Sequence, residues 1–159
     1  MMKVEDFLAH AIQLESEAAM RFGQLADVMT TNGNAQVGKL FRRLSDYSRL
    51  HLSDARARSG FRELPELRPE DFVWPDLESP ESAAIWGADP FIGREEALTI
   101  ALQAELAGLD YYQSVHDATD DPETKILAKE FVEEERDHVS ELRKWIAAHK
   151  AGEKLPSEP

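Results

Sequence analysis

Five prolines, Pro65, Pro69, Pro75, Pro80 and Pro90, fall between Gly60 and Gly93, and no long helix survives that spacing. The same stretch carries Phe61, Leu64, Phe72, Trp74, Leu77, Ile85, Trp86 and Phe91. A linker between domains is polar, and this segment is too apolar to hang free in water. It reads as an ordered crossover that packs along a larger body. Trp74, Trp86 and Phe91 exceed what a loop needs for itself, which predicts a homodimer or larger assembly.

On both sides of the crossover, apolar residues recur at helical spacing. Phe7, Leu8, Ala11, Ile12, Ala18, Ala19, Phe22, Leu25 and Met29 predict a first helix from about Val4 to Met29. The turn chemistry of "TTNGNA" follows it. Val37, Leu40, Phe41, Leu44 and Tyr47 predict a second helix from about Ala35 to Arg58, stopped by Gly60. A third helix is expected from about Glu95 to Ala118. The fourth follows Asp121, a credible N-cap, with Pro122 in the first helical position, and runs to about Lys150. Two helical hairpins joined by one long crossing predict an all-α four-helix bundle. Residues 1–159 read as a single domain, with the crossover at 60–93 and a frayed tail at 151–159.

The chain has 31 acidic and 18 basic residues, a formal net charge of −13. That balance argues against nucleic acid and anionic membranes as partners, and it suits cation binding. There is no cysteine, which excludes disulfides, thiolate metal sites, iron–sulfur clusters and cysteine nucleophiles. No apolar run approaches the roughly 20 residues that span a bilayer. The opening "MMKVEDFLAHAIQLE" is acidic and amphipathic rather than a signal peptide. We expect a cytoplasmic protein.

Successive helical residues turn by about 100°, which sorts the acids into inner and outer positions. Glu15 falls between Ala11/Ile12 and Ala18/Ala19/Phe22, in the middle of an apolar stripe. Glu105 falls between Ala101/Leu102 and Leu109/Tyr112. On the fourth helix Leu127, Phe131, Leu142, Trp145 and Ile146 define the inner face. Glu135 and His138 lie on that face; Glu133 and Asp137 do not. His51 follows Leu44 by seven residues, on the same side of the second helix. A lone inward Glu can reach a lysine or water, and a lone inward His is usually a satisfied core residue. Three glutamates and two histidines inside one bundle need common compensation, because an unpaired buried carboxylate costs on the order of several kcal/mol. Arg21, Lys39, Arg43, Arg49 and Lys129 lie on outer or flanking positions. A cation between the helices would neutralise the glutamates and use the imidazoles. His10, His116 and His149 lie toward helix ends and read as surface or rim residues.

"LESEAAMRF" with Glu15, "AELAGLDYY" with Glu105 and "EERDH" with Glu135 and His138 resemble the ferritin-like superfamily, specifically the rubrerythrin-like di-iron proteins. In that pattern two helices each give a Glu, and the other two each give a Glu-x-x-His. An aromatic residue follows each lone Glu by seven positions, Phe22 and Tyr112, which is a weak internal repeat. The resemblance spans nearly the whole chain. It implies iron, as two ions or one, with manganese or zinc as other occupants. Glu15 and Glu105 would be terminal ligands, Glu135 a bridge, and His51 and His138 would each hold one metal. The implied activity is redox chemistry on dioxygen or peroxide, of peroxidase or ferroxidase type. Tyr112 is the candidate catalytic hydroxyl; the other reading makes it a core tyrosine with its hydroxyl at the rim.

The chain departs from the pattern on the second helix. "DYSRLH" puts Ser48 where a Glu precedes the histidine, so one bridging carboxylate is missing. Asp54, three residues after His51, is either a substitute or an exposed residue. Gly108 stands where some rubrerythrins carry a further metal-binding Glu. The four cysteines of a rubredoxin-like domain are lacking too, so electrons must come from a separate donor protein. Two other functions fit the same residues: iron oxidation and handling, or a bundle with a degenerate site kept for protein–protein interaction.

Overall fold

The computed structural model describes residues 3–74 and 91–153, and the long elements among them are four helices. α1 spans Val4–Thr31, α2 Ala35–Ser59, α3 Arg94–Ala118 and α4 Pro122–Lys150. A short 3-10 turn, Pro69–Asp71, lies in the crossover. The starts and stops have local causes. Asp121 accepts a hydrogen bond from the Thr124 N–H and caps α4, with Pro122 next to it. Gly60 ends α2 at a φ of 56°, a left-handed backbone that a Cβ disfavours. α1 packs along α2 and α3 along α4, so the chain forms the expected all-α bundle of two hairpins. The long connection runs between α2 and α3.

The apolar core falls into two clusters, one toward each end of the bundle. One gathers Phe22, Met29, Phe41, Leu98, Leu142 and Trp145. The other gathers Phe7, Leu8, Leu14, Tyr112, Phe131 and Val132. Each fully buried Leu or Phe contributes about 1.5–3 kcal/mol, so these two clusters carry the fold. The level between them is polar: Glu15, Ser48, Glu105 and Glu135 are all buried there.

The described ends of the crossover sit at opposite ends of the bundle. At one end Arg62 pairs with Glu123, at the start of α4. At the other, Asn34 Nδ2 donates to the Ile92 carbonyl at 2.7 Å, and Ile92 joins the core beside Met29 and Val37. The expectation that the whole crossing packs on the bundle falls partly on residues 75–90, with Leu77, Ile85 and Trp86, which lie outside the described residues.

One expectation is corrected. His10 is not a rim residue, being only 2% exposed. Its Nδ1 donates to the Asp6 carbonyl (2.8 Å) and its Nε2 accepts from the Val73 N–H (3.0 Å). Phe72 and Trp74 pack edge-on against its ring, each at 5.0 Å. Burial pulls its pKa below the ordinary value, and the nearby Asp6 carbonyl and carboxylate offset this only in part. Trp74 packs on the bundle as the crossover reading expects, 5.2 Å from the Tyr111 ring. Phe91 is exposed, and His116 and His149 lie half-buried near helix ends.

Candidate metal centre

The five residues picked out by helical phase meet at one level. Glu15 from α1, Glu105 from α3 and Glu135 from α4 are 2%, 5% and 1% exposed. His51 from α2 and His138 from α4 are half-buried, and their rings stack at 4.0 Å with 13° between planes. The Nδ1 atoms of both histidines face carboxylates. His51 Nδ1 lies 3.7 Å from Glu15 Oε2 and 3.9 Å from Glu135 Oε1. His138 Nδ1 lies 3.4 Å from Glu105 Oε2 and 3.8 Å from Glu135 Oε2. Glu135 therefore turns one oxygen toward each histidine. The arrangement is two Glu–His pairs, Glu15 with His51 and Glu105 with His138, on either side of Glu135.

The electrostatics follow from that crowding. Burial alone would lower the His51 pKa. The Glu15 carboxylate beside it, with Glu105 and Glu134 further off, outweighs burial and holds it above the ordinary value. Burial would raise the Glu105 pKa. The hydrogen bond from Glu135 and the hydrogen bond and charge of His138 outweigh it, so Glu105 lies well below the ordinary carboxylate value. A hydrogen bond between two carboxyls requires a proton between them. Such a cluster holds its charges only by gathering positive charge, either protons on the imidazoles or a metal ion.

Tyr112 reaches the site: its hydroxyl donates to Glu15 Oε1 at 3.1 Å, inside the core rather than at the rim. Its ring stacks on Phe131 and meets Phe7 edge-on. Tyr47, one residue before Ser48, packs its ring 5.3 Å from His138. Ser48 itself is 3% exposed, so the position of the missing carboxylate points inward. Asp54 turns to an arginine instead. It is held by Arg58 at 3.1 Å, together with Glu134 at 2.7 Å and Glu130. Arg58 also lies over the Phe131 ring, 5.2 Å from its centroid. It is the cation that sequence reasoning missed. Its place one turn after Asp54, on the His51 side of α2, was the available signal. Burial and a hydrogen bond with Asp54 raise the Glu134 pKa, against the pull of Arg58.

The donor set fits a metal. Ligand atoms of His51, Glu135 and His138 all lie within 4.8 Å of one another. Glu15, Glu105 and Glu135 each face one or both of the two histidines. Carboxylate oxygen and imidazole nitrogen together suit iron, manganese or zinc. Among the described residues, no helix is long and apolar enough to cross a membrane.

No protein-family model matches the chain, and no curated protein matches it. A crystal structure of an uncharacterized conserved protein from Magnetospirillum magnetotacticum MS-1 does. It is 34% identical, covers 99% of this chain and 100% of that one, and superimposes with a TM-score of 0.69.

Proposed function

We propose that this chain, which belongs to the COG1633 family of conserved proteins, is a non-haem iron protein with redox activity on dioxygen or peroxide, similar to the rubrerythrin-like members of the ferritin-like superfamily. The observation that carries the reading is Glu135, one oxygen toward each histidine and a further buried glutamate beside each. Glu15 and His51 would hold one ion, Glu105 and His138 the other, and Glu135 both. Bound iron would supply the exchangeable electrons; manganese and zinc are the other ions this donor set accepts. The chain's own residues do the rest. The two apolar clusters keep bulk water from the site. Tyr112 orients Glu15 and holds a proton at its hydroxyl, 3.1 Å from that carboxylate. Reducing peroxide to water takes two electrons and two protons. With no cysteine in the chain, the electrons come from a separate donor protein. We expect a homodimer or larger.

Iron oxidation and handling is the second reading, favoured by the same geometry. The protein is purified without chelator and its metal content measured. Peroxide consumption driven by an external reductant supports the reductase; stoichiometric ferrous oxidation with retention of iron supports the handling reading. Wild-type protein that shows no metal-dependent rise in Tm defeats both. It leaves the interaction module with a degenerate site, whose best support is Ser48.

A further inference from the structure

The two sides of the carboxylate level are built differently. On the side of Phe7, Leu14 and Phe131, the Tyr112 ring closes it. On the other side a narrow, partly open pocket runs between α2 and α4 and ends on Glu105 and His138. Leu44, Leu142, Tyr47 and Trp145 form its walls, with Glu141 also lining it. Tyr47 packs on the His138 ring, so it stands where the pocket meets the site.

Trp145 adds a second observation. The residue is 1% exposed, and its indole N–H has no hydrogen-bond partner among the described residues. A buried donor left unpaired costs about 1–3 kcal/mol, and such groups call for an explanation. Trp145 also lines the pocket, so a water or an oxygen-bearing ligand held there is the candidate acceptor.

We infer that this pocket is the route by which a small uncharged oxidant, dioxygen or peroxide in size, reaches the metal centre, with Leu44 and Tyr47 setting its width and Trp145 donating a hydrogen bond to the entering molecule. The inference rests on the metal-site reading and adds the route and the size limit. The walls decide the class. An uncharged molecule of two non-hydrogen atoms loses little by shedding water against leucine and indole. A hydrated cation or a carboxylate substrate would lose its solvation there without compensation. An organic substrate is too large for the space. Glu141, which Lys144 approaches to 3.5 Å, adds one negative charge to the lining and so disfavours anions further.

The test uses nitric oxide as the probe, on full-length protein loaded with Fe(II), read by stopped-flow absorbance of the iron–nitrosyl. Leu44→Phe narrows the pocket and should slow association about tenfold, equivalent to about 1.4 kcal/mol of barrier. Tyr47→Ala widens it and should speed association several-fold. Trp145→Phe removes the donor and should speed nitric oxide release, with Fe(II) affinity unchanged. Because Leu44 is a core residue, Tyr47→Ala keeps the proposal testable if Leu44→Phe does not fold. If both foldable variants bind Fe(II) as wild type does and take up nitric oxide at the wild-type rate, the route is wrong while the metal centre stands. A wild-type protein that binds no Fe(II) removes the iron reading, and this route with it.

Discussion

Ser48 and His51 on α2 occupy the register that Glu135 and His138 occupy on α4, and the two histidines end up alike. Both are half-buried, both turn Nδ1 to glutamates, and their rings stack at 4.0 Å. The positions three residues earlier are also alike in burial, Ser48 at 3% exposed and Glu135 at 1%. They differ in charge. α4 brings a carboxylate that both halves share; α2 brings a hydroxyl that cannot balance a cation. Three carboxylates leave one positive charge over on two divalent ions, where a fourth would close the balance. In the metal-free state the same difference has the opposite sign. A fourth buried carboxylate would need its own compensation, and Arg58 is already committed to Asp54, Glu130 and Glu134. On the metal reading, serine at this place favours the empty fold and weakens the loaded one.

The largest effect should come from the α4 side. Glu135→Gln keeps the shape and removes the shared charge. It should abolish binding of the second ion before the first. The affinity loss should exceed the about 100-fold that losing an outer-sphere partner costs. Metal content and titration calorimetry measure it, and a variant that still takes two ions tightly would break the contrast between the helices. Ser48→Glu is the converse. Without metal it should lower stability by about 3 kcal/mol, the cost of an uncompensated buried charge. With Fe(II) or Mn(II) it should recover and melt above the loaded wild type. A Ser48→Glu protein that melts below wild type under every metal condition would remove the metal reading. Tyr112→Phe is a smaller change, confined to the Glu15 half. Loss of the 3.1 Å hydrogen bond should cost about 1 kcal/mol of stability and about tenfold in metal affinity at that half. An equal loss at the Glu105 half would show that the two halves do not act separately.

What could be read from the sequence was what helical phase controls. Glu15, Glu105, Glu135 and His138 lie in apolar stripes of period 3.6, and the helix ends follow Asp121, Pro122 and Gly60. Each of those signals is local. The residues misjudged depend on contacts far along the chain. His10 is buried because the crossover folds over it, through a hydrogen bond between residues 63 apart. Its spacing from Phe7 and Leu14 puts it on the apolar stripe and was the overlooked clue. Arg58 looks like an ordinary end-of-helix cation until α4 brings Glu130 and Glu134 beside it. The pocket needs the relative placement of α2 and α4, which no single helix encodes.

His10 extends the contrast to a histidine away from the buried glutamates, and its effect should be the smallest. His51 is surrounded by carboxylates and has its pKa raised; His10 is surrounded by Phe72, Trp74 and the backbone, and has its pKa lowered. Both ring nitrogens of His10 are already used, Nδ1 as donor to Asp6 and Nε2 as acceptor from Val73. A second proton would turn that acceptor into a donor facing another donor. The unfolded chain takes up this proton near the ordinary histidine value, about 6.5, and the folded chain only at lower pH. Between those two values the unfolded state binds more protons, so stability falls as pH drops below about 6.5, by up to about 1.4 kcal/mol per pH unit. Protonation of His51 acts in the opposite direction and masks part of this in the wild type. The informative quantity is the difference between wild type and His10→Gln, from urea unfolding of metal-free protein at several pH values. The variant should be less stable at neutral pH, where the Val73 contact is intact in wild type, and the gap should close toward acid pH. A gap that stays constant from neutral to acid pH would mean that His10 does not titrate against the crossover.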